Sequence, residues 1–317
     1  FKKIIIGGFM DIKYLITHSG GFHADELLSS VVLKFLYPKA KIIRSREQKW
    51  ITPSSDKIIY DVGADYNSGI KIFDHHQRPS PLRKDGQPFS SFGLIWKHYG
   101  KAFLEKNKIL AEDIDDIHLE FDTKFVLPID LLDNGAINLS SGGTLSNLSL
   151  PVLLENFKPA FDDTSPTAND DAFHQLLPII ETFILSIIRN FASKLRAEKI
   201  IKALINSLGS SEILELPKAM PFQSAFKRSN ANHILFIVYP RGSEWTLNTI
   251  KLSENTFEQR ASLPASWAGL TNKDLETASG VIGAKFCHNA RFIAIAETRD
   301  AILKMAEKAV KEFKRNI

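Results

Sequence analysis

Three short stretches carry side chains that could act together: HSGGFHADE (18–26), YDVG (60–63) and FDHHQR (73–78). They supply four imidazoles, at His18, His23, His75 and His76, and four carboxylates, at Asp25, Glu26, Asp61 and Asp74. Nitrogen and oxygen donors without sulfur suit divalent manganese, zinc, cobalt or iron. The inventory is rich enough for two ions. Two ions ~3.5–4 Å apart, bridged by a carboxylate, clamp the attacking and leaving oxygens of a phosphoryl displacement and activate water near neutral pH. No Ser or Cys nucleophile is then required. The run KIFDHH poses the sharpest question, because a strand-like apolar segment ends in three groups that are costly to bury. Cations at the strand tip would offset that desolvation.

Other elements must bring these groups together. KYLITH (13–18), AKIIRS (40–45), KIIYDVG (57–63) and GIKIFDHH (69–76) read as short strands separated by Pro, Ser, Asn and Gly turns. DELLSSVVLKFLY (25–37) and SFGLIWKHYGKAFLEK (91–106) have helical spacing, and an acidic helical stretch runs from Glu112 to about Asp133. The alternation predicts an α/β domain with a mostly parallel sheet covered on both faces. In such sheets ligands bind beyond the carboxyl ends of the strands. His18, Asp61 and the run Asp74–His75–His76 each finish a strand, and His23, Asp25 and Glu26 begin the next helix, so all are expected at one edge. Taken singly each has a plainer reading: Asp61 starts a turn, and Asp25 caps a helix and complements its dipole. Their convergence after consecutive strands is what favours a metal site. His98 and His118 lack it and read as satisfied or surface histidines.

HSGGFHADE, YDVG, FDHHQR and LLDNG (131–135), in that order, resemble the DHH phosphoesterase superfamily. Within it they resemble the melanocyte-proliferating-gene (Myg) family, whose members are similar to metal-dependent exonucleases acting on RNA. SFGLIWKHYG (91–100), LPASWAGL (263–270) and SGVIGAKFCHNARFIA (279–294) extend the likeness, so that it covers most of the chain from Met10 onward. The resemblance implies that His18 and His23 hold one metal, Asp25 and His75 the other, that Asp61 bridges them and that Asp133 completes the ligation. It also implies that His76 faces the phosphate, while Asp74 orients its neighbours and fixes an imidazole tautomer. Asp61, Asp74 and His76 are then the catalytic set. Asp130 lies three residues before Asp133 on the same helical face and competes with it. Better-known superfamily members hold Asp where His23 stands, which leaves open the ion that His23 touches. One departure is visible: RFIAIAET runs on without the glycine-rich turn of the family pattern, so close backbone approach to a phosphate is less available and substrate choice is expected to differ.

The second half changes character. Residues 139–171 are rich in Ser, Asn, Asp, Pro and Thr, as exposed boundary loops are. The expected domains are therefore a DHH-type domain over 10–150 and an α+β domain over 151–317, docked over the metal edge as a lid. A long helix is predicted from about Ala172 to Leu208, stopped by Gly209. HILFIVYP (233–240), EWTLNTIKL (244–252), AKFCH and RFIAIA look like antiparallel strands, and a basic amphipathic helix closes the chain. Arg78, Arg241, His288 and Arg291 are candidate substrate contacts, arginine offering a planar fork to phosphate oxygens. Arg78 also reads as an exposed loop arginine, and His288 as a packed strand-end histidine. Trp245 and Trp267 either stack on bases or fill the core.

Composition sets the remaining bounds. The chain has 317 residues, 44% of them hydrophobic, enough for a sizeable core. Its single cysteine, Cys287, excludes an intrachain disulfide framework and a thiolate zinc cluster within one chain. A reducing compartment follows: cytoplasmic for a bacterial source, with nuclear or mitochondrial addresses open for a eukaryotic one. No uninterrupted apolar run approaches the ~18 residues of a membrane span, so no membrane partner is expected. FKKIIIGGFM lacks the length of a secretory signal, and Met10 reads as the start. A net charge of +4 permits a nucleic-acid partner without demanding one. Together with the resemblance, these features predict a metal-dependent phosphodiesterase. It would carry two divalent ions, manganese foremost, and trim single-stranded RNA or DNA from an end. The alternatives are a hydrolase of pyrophosphate, short oligonucleotides or cyclic dinucleotides, or a non-catalytic metal-binding regulator.

Overall fold

The computed structural model describes residues 11–315 except 228, 230, 254 and 255. Met10, expected as the start, and Phe1–Phe9 before it lie outside the described residues.

Contacts divide the chain into two compact units after Ala192, later than the boundary expected between 150 and 151. The physical reason lies in the Ser- and Asn-rich stretch, which folds instead of linking. In the first unit, β1 (Tyr14–Thr17), α1 (Ala24–Leu36), β2 (Lys41–Arg44), the single turn α2 (Gln48–Ile51), β3 (Lys57–Tyr60), β4 (Tyr66–Asn67) and β5 (Ile72–Phe73) follow in order. The helices α3 (Ser91–Lys106), α4 (Ile114–Phe121), α5 (Leu127–Asp133) and α6 (Leu150–Glu155) come next, and then the long α7 (Ala168–Leu208), within which the division falls. Leu154 of α6 and Phe173 and Leu176 of α7 are buried in this unit.

Its sheet has the order β2-β1-β3-β5-β4, parallel throughout except for β4, which runs antiparallel to β5. Leu15, Ile16, Ile58, Ile59 and Tyr60 are fully buried, so the strands are covered on both faces, as parallel sheets require. The helices α1 and α3 pack against each other and against β1 and β5. Elsewhere Tyr14, Ile43, Trp50 and Ile51 gather on Ile16, Ile59 and Ile72. Between α4 and α5 the run passes through one π turn, Asp122–Val126. Pro128 has no amide hydrogen to give the carbonyl of Lys124, and the wider turn absorbs the missing bond.

In the second unit β6 (Ile213–Glu215), α8 (Gln223–Lys227), β7 (Phe236–Arg241), β8 (Glu244–Thr249), α9 (Asn272–Ser279), β9 (Ala284–Cys287), β10 (Ile293–Ala296) and α10 (Arg299–Arg315) follow the end of α7. They form a sheet of order β6-β7-β8-β10-β9. Every pairing is antiparallel except that of the three-residue β6, which is parallel to β7 and too short to show a period in the sequence. Alternation sorts β7: Phe236 and Val238 join Leu247, Ala294, Ile302 and Met305, whereas Ile237 joins Ile201, Leu214 and Ile250. Trp267 is buried in the first of these clusters and Trp245 packs against it, so both are core residues and not stacking platforms.

One helix departs from the membrane expectation. An 18-residue window of α7 has a mean hydropathy of 1.4, which makes the helix long and apolar enough to cross a membrane by length and composition. No uninterrupted run shows this, because polar residues punctuate the window. Phe173, Leu176, Ile180, Ile184 and Ile188 are buried at helical spacing, the stripe of a helix packed by one face.

Candidate metal centre

The strand β1 stops at Thr17 and leaves His18 just past the sheet edge, buried. Its Nδ1 donates to the Ser19 carbonyl at 3.2 Å, which turns Nε2 toward the carboxylates. Nε2 lies 3.1 Å from Glu26 Oε1 and 3.2 Å from Asp61 Oδ2. Glu26 is delivered by the start of α1, where both its oxygens accept the backbone N–H of His23, at 2.8 and 2.9 Å. After β3, Asp61 adopts the left-handed φ of 54°, a conformation that Asp tolerates better than most side chains. Its second oxygen, Oδ1, stands 3.3 Å from His75 Nε2. One carboxylate thus meets two imidazoles, one through each oxygen.

Past β5 the run Asp74–His75–His76 divides its labour. Asp74 Oδ2 accepts the N–H of Ala64 at 2.6 Å, while Oδ1 accepts the N–H of His75 at 2.8 Å and meets His76 Nδ1 at 2.7 Å. Asp74 is therefore occupied with positioning. His75 Nε2 lies 3.2 Å from Asp133 Oδ2 and 3.9 Å from Asp25 Oδ2. The ligand atoms of His18, His23 and Glu26 lie within 4.8 Å of one another, as do those of Asp25, His75 and Asp133 and those of Asp25, Glu26 and Asp61.

The electrostatics are those of a site built for cations. Burial disfavours a proton on His18, but hydrogen bonds to Asp61 and Glu26 outweigh it and raise the imidazole to about 10. Burial works to raise Asp61 as well, yet His18 and His75 hold it down to about 2. Asp25 is pushed well above the usual carboxylate range, first by burial and then by Asp61 and Asp133. Burial likewise raises Asp133. Both oxygens of Asp25 are buried without a hydrogen-bond donor. An acid in that position is costly unless a cation sits against it. The donor set and this unpaired carboxylate fit divalent ions.

Other expected residues fall in different places. Asp133 reaches His75, whereas Asp130 is engaged by Ser90, from N at 3.1 Å and Oγ at 2.6 Å, and by Arg83, from Nε at 2.9 Å and Nη2 at 2.6 Å. Glu26 belongs among the candidate ligands, a role the sequence reading did not assign; the string HADE contains it, but the same residue also reads as a cap. His118 stacks on Trp96, the ring centroids 5.2 Å apart, and His98 bonds Tyr66 Oη at 2.8 Å. Arg78 is exposed and makes no ion pair among the described residues. His288 and Arg291 share the turn between β9 and β10, where Arg291 N–H donates to the His288 carbonyl at 2.8 Å. Arg241 closes the hairpin of β7 and β8 at the opposite end of that sheet, since Pro240 pairs with Trp245 and Trp245 with Ala296. A single clamp of all three is not what the strand register allows. Against the metal centre opens a cavity of about 470 Å³, lined by His23, His75, His76 and Asp133 together with Ile129 and Leu132 of α5 and Pro151 and Val152 of α6.

A parallel sheet whose carboxyl edge gathers imidazoles and carboxylates around an Asp-His-His tip has the donors of a metal-dependent hydrolase. Residues 14–310 match the MYG1 exonuclease family model, described as Uncharacterised protein family (UPF0160). The chain belongs to this family, and it is a metal-dependent hydrolase of the phosphoesterase class. Relatives include MYG1 protein YER156C of Saccharomyces cerevisiae, 31% identical across 96% of this chain and 98% of that one. MYG1 protein C694.04c of Schizosaccharomyces pombe is also 31% identical, across 95% and 98%. The mouse protein named MYG1 exonuclease is 27% identical, across 92% and 83%. A structure of RecJ from Thermus thermophilus in complex with Mn²⁺ aligns with 96% of this chain and 52% of that one, at 11% identity and a TM-score of 0.29. Agreement at that level bears on neither site nor substrate.

Proposed function

We propose that this protein is a two-metal phosphodiesterase that removes nucleotides from an end of single-stranded RNA or DNA. The observation that carries it is Asp61, whose two oxygens face His18 and His75 and so join two donor groups. His18, His23 and Glu26 would hold one ion and Asp25, His75 and Asp133 the other, with Asp61 between; the carboxylates of this mixed set suit manganese. When bound, the ions would supply an activated water and neutralise phosphate charge. His76 is positioned by Asp74, and this hydrogen bond raises its pKa, so the ring is charged more readily and can offer Nε2–H to a phosphate oxygen or a leaving oxygen. Among the described residues no Lys or Arg lines the adjoining cavity, which speaks for a nucleic-acid end over pyrophosphate. Relatives named as exonucleases support the same choice. His288, Arg291 and Arg78 are proposed as substrate contacts.

The test is single-turnover cleavage of end-labelled RNA and DNA oligomers with Mn²⁺, comparing the wild type with Asp61→Ala. Stepwise release of mononucleotides by the wild type alone is expected, and the end that shortens gives the polarity. No cleavage by the wild type would overturn the reading and turn attention to pyrophosphate and cyclic dinucleotides.

A further inference from the structure

The lining of the cavity beside the metal centre is of two kinds. His23, His75, His76 and Asp133 belong to the metal site as well, while Ile129 and Leu132 of α5 and Pro151 and Val152 of α6 contribute carbon. Its volume, about 470 Å³, lies within the ~300–1,000 Å³ of small-molecule clefts. A phosphodiester held at the metal edge carries a sugar and a flat, largely apolar base only a few bonds away. That occupant needs a lining that offers both polar groups and carbon.

We infer that this cavity seats the base of the terminal nucleotide, the one whose phosphate is hydrolysed; the inference rests on the exonuclease reading. Two features decide against another occupant. With no Lys or Arg in the lining among the described residues, and with the carboxylates of Asp133 and Glu155 present, a second phosphate would be repelled, so the strand would not continue through the cavity. Only a chain end fits, which makes the cavity the source of the preference for ends. Base identity is weakly read. The one neutral amide in the lining is Asn134, whose Nδ2 already donates to the carbonyls of Phe89, at 3.1 Å, and Asp130, at 2.8 Å. Strong discrimination needs several fixed polar partners, and the four bases are expected to be removed at rates within a few-fold of one another.

The experiment compares oligomers that end in an ordinary nucleotide or in an abasic residue. Loss of the base should raise KM for the Mn²⁺-loaded wild type roughly 10-fold, the scale of apolar and stacking contacts to one base. Filling the cavity with Val152→Trp, or with Leu132→Phe should the first fail to fold, should raise KM for the intact oligomer to that of the abasic one. Metal content, measured by mass spectrometry, should not change. Equal KM for the two oligomers in the wild type, or a filled variant that keeps the preference, would overturn the base seat while leaving the exonuclease reading in place. A wild type that cuts neither oligomer overturns the exonuclease reading, and this inference with it.

Discussion

Asp61 and His18 are held in opposite charge states by each other, and pH acts on that pair in a definite direction. His18 is raised from 6.5 to about 10, so in the metal-free protein its pairing stabilises fully below pH 6.5 and is lost as pH climbs toward 10. Asp61, lowered from 3.8 to about 2, contributes above pH 3.8 and is lost only as pH falls through 2. Asp25, whose pKa is raised, opposes folding increasingly once pH exceeds its ordinary range. The melting temperature of EDTA-treated protein should therefore decline from pH 7 to 10, while the Mn²⁺-loaded protein declines less. A flat or rising metal-free curve would contradict the geometry. Asp74 acts at the same scale through the tautomer it imposes on His76. Asp74→Asn should cost ~10–100-fold in kcat, the usual effect of removing a group that orients a ligand or catalytic ring, with the fold intact by circular dichroism.

At the scale of elements, the start of α3 and the last turns of α5 are tied through Asp130. Its carboxylate is buried and takes the Ser90 amide and hydroxyl together with the Arg83 guanidinium, which also grips Asp122 in the π turn. Burial still raises Asp130 to about 6, despite Ser90 and Arg83. Gly93 faces this carboxylate, and a Cβ there would run into Asp130 at less than contact distance. Gly93→Ala should destabilise the protein by ~1–3 kcal/mol, as overpacking in a filled core does, read from urea unfolding. A neutral result would mean that α3 shifts freely over α5. Asp133, three residues on, faces His75 from the same helix, which these bonds to Asp130 hold in place.

For the whole molecule, the second unit carries its own test. His288 is half-buried, its Nδ1 accepting the Ala290 N–H at 3.0 Å and its ring 4.5 Å from that of Phe292. If it meets the substrate phosphate from its remaining nitrogen, His288→Ala should raise KM ~10–100-fold, the worth of a hydrogen bond to a charged group. Metal content should stay at the wild-type level. A fully active variant would remove His288 from the proposed substrate contacts. Arg241→Ala, changed at the far end of the sheet, should leave KM near wild type if the turn of His288 and Arg291 is the clamp.

Much of this was legible in the residues alone. The bounds of α3 at Ser91 and Lys106 follow from helical spacing. The gathering of His18, Asp61 and Asp74–His75–His76 follows from topology, because parallel strands all end on the same side. Such a rule needs only the order of strands and helices, which periodicity carries. The choice between Asp130 and Asp133 did not follow, since both lie on one helical face and only Ser90 and Arg83, some 40 residues earlier, decide which is occupied. Glu26 stood among the donors expected at this edge, but its role as a ligand did not follow, because a cap and a ligand look alike in sequence. The separation of Arg241 from His288 and Arg291 depends on the antiparallel register of β7, β8 and β10. Those outcomes rest on distances between groups far apart in the chain, and only the packed structure sets them.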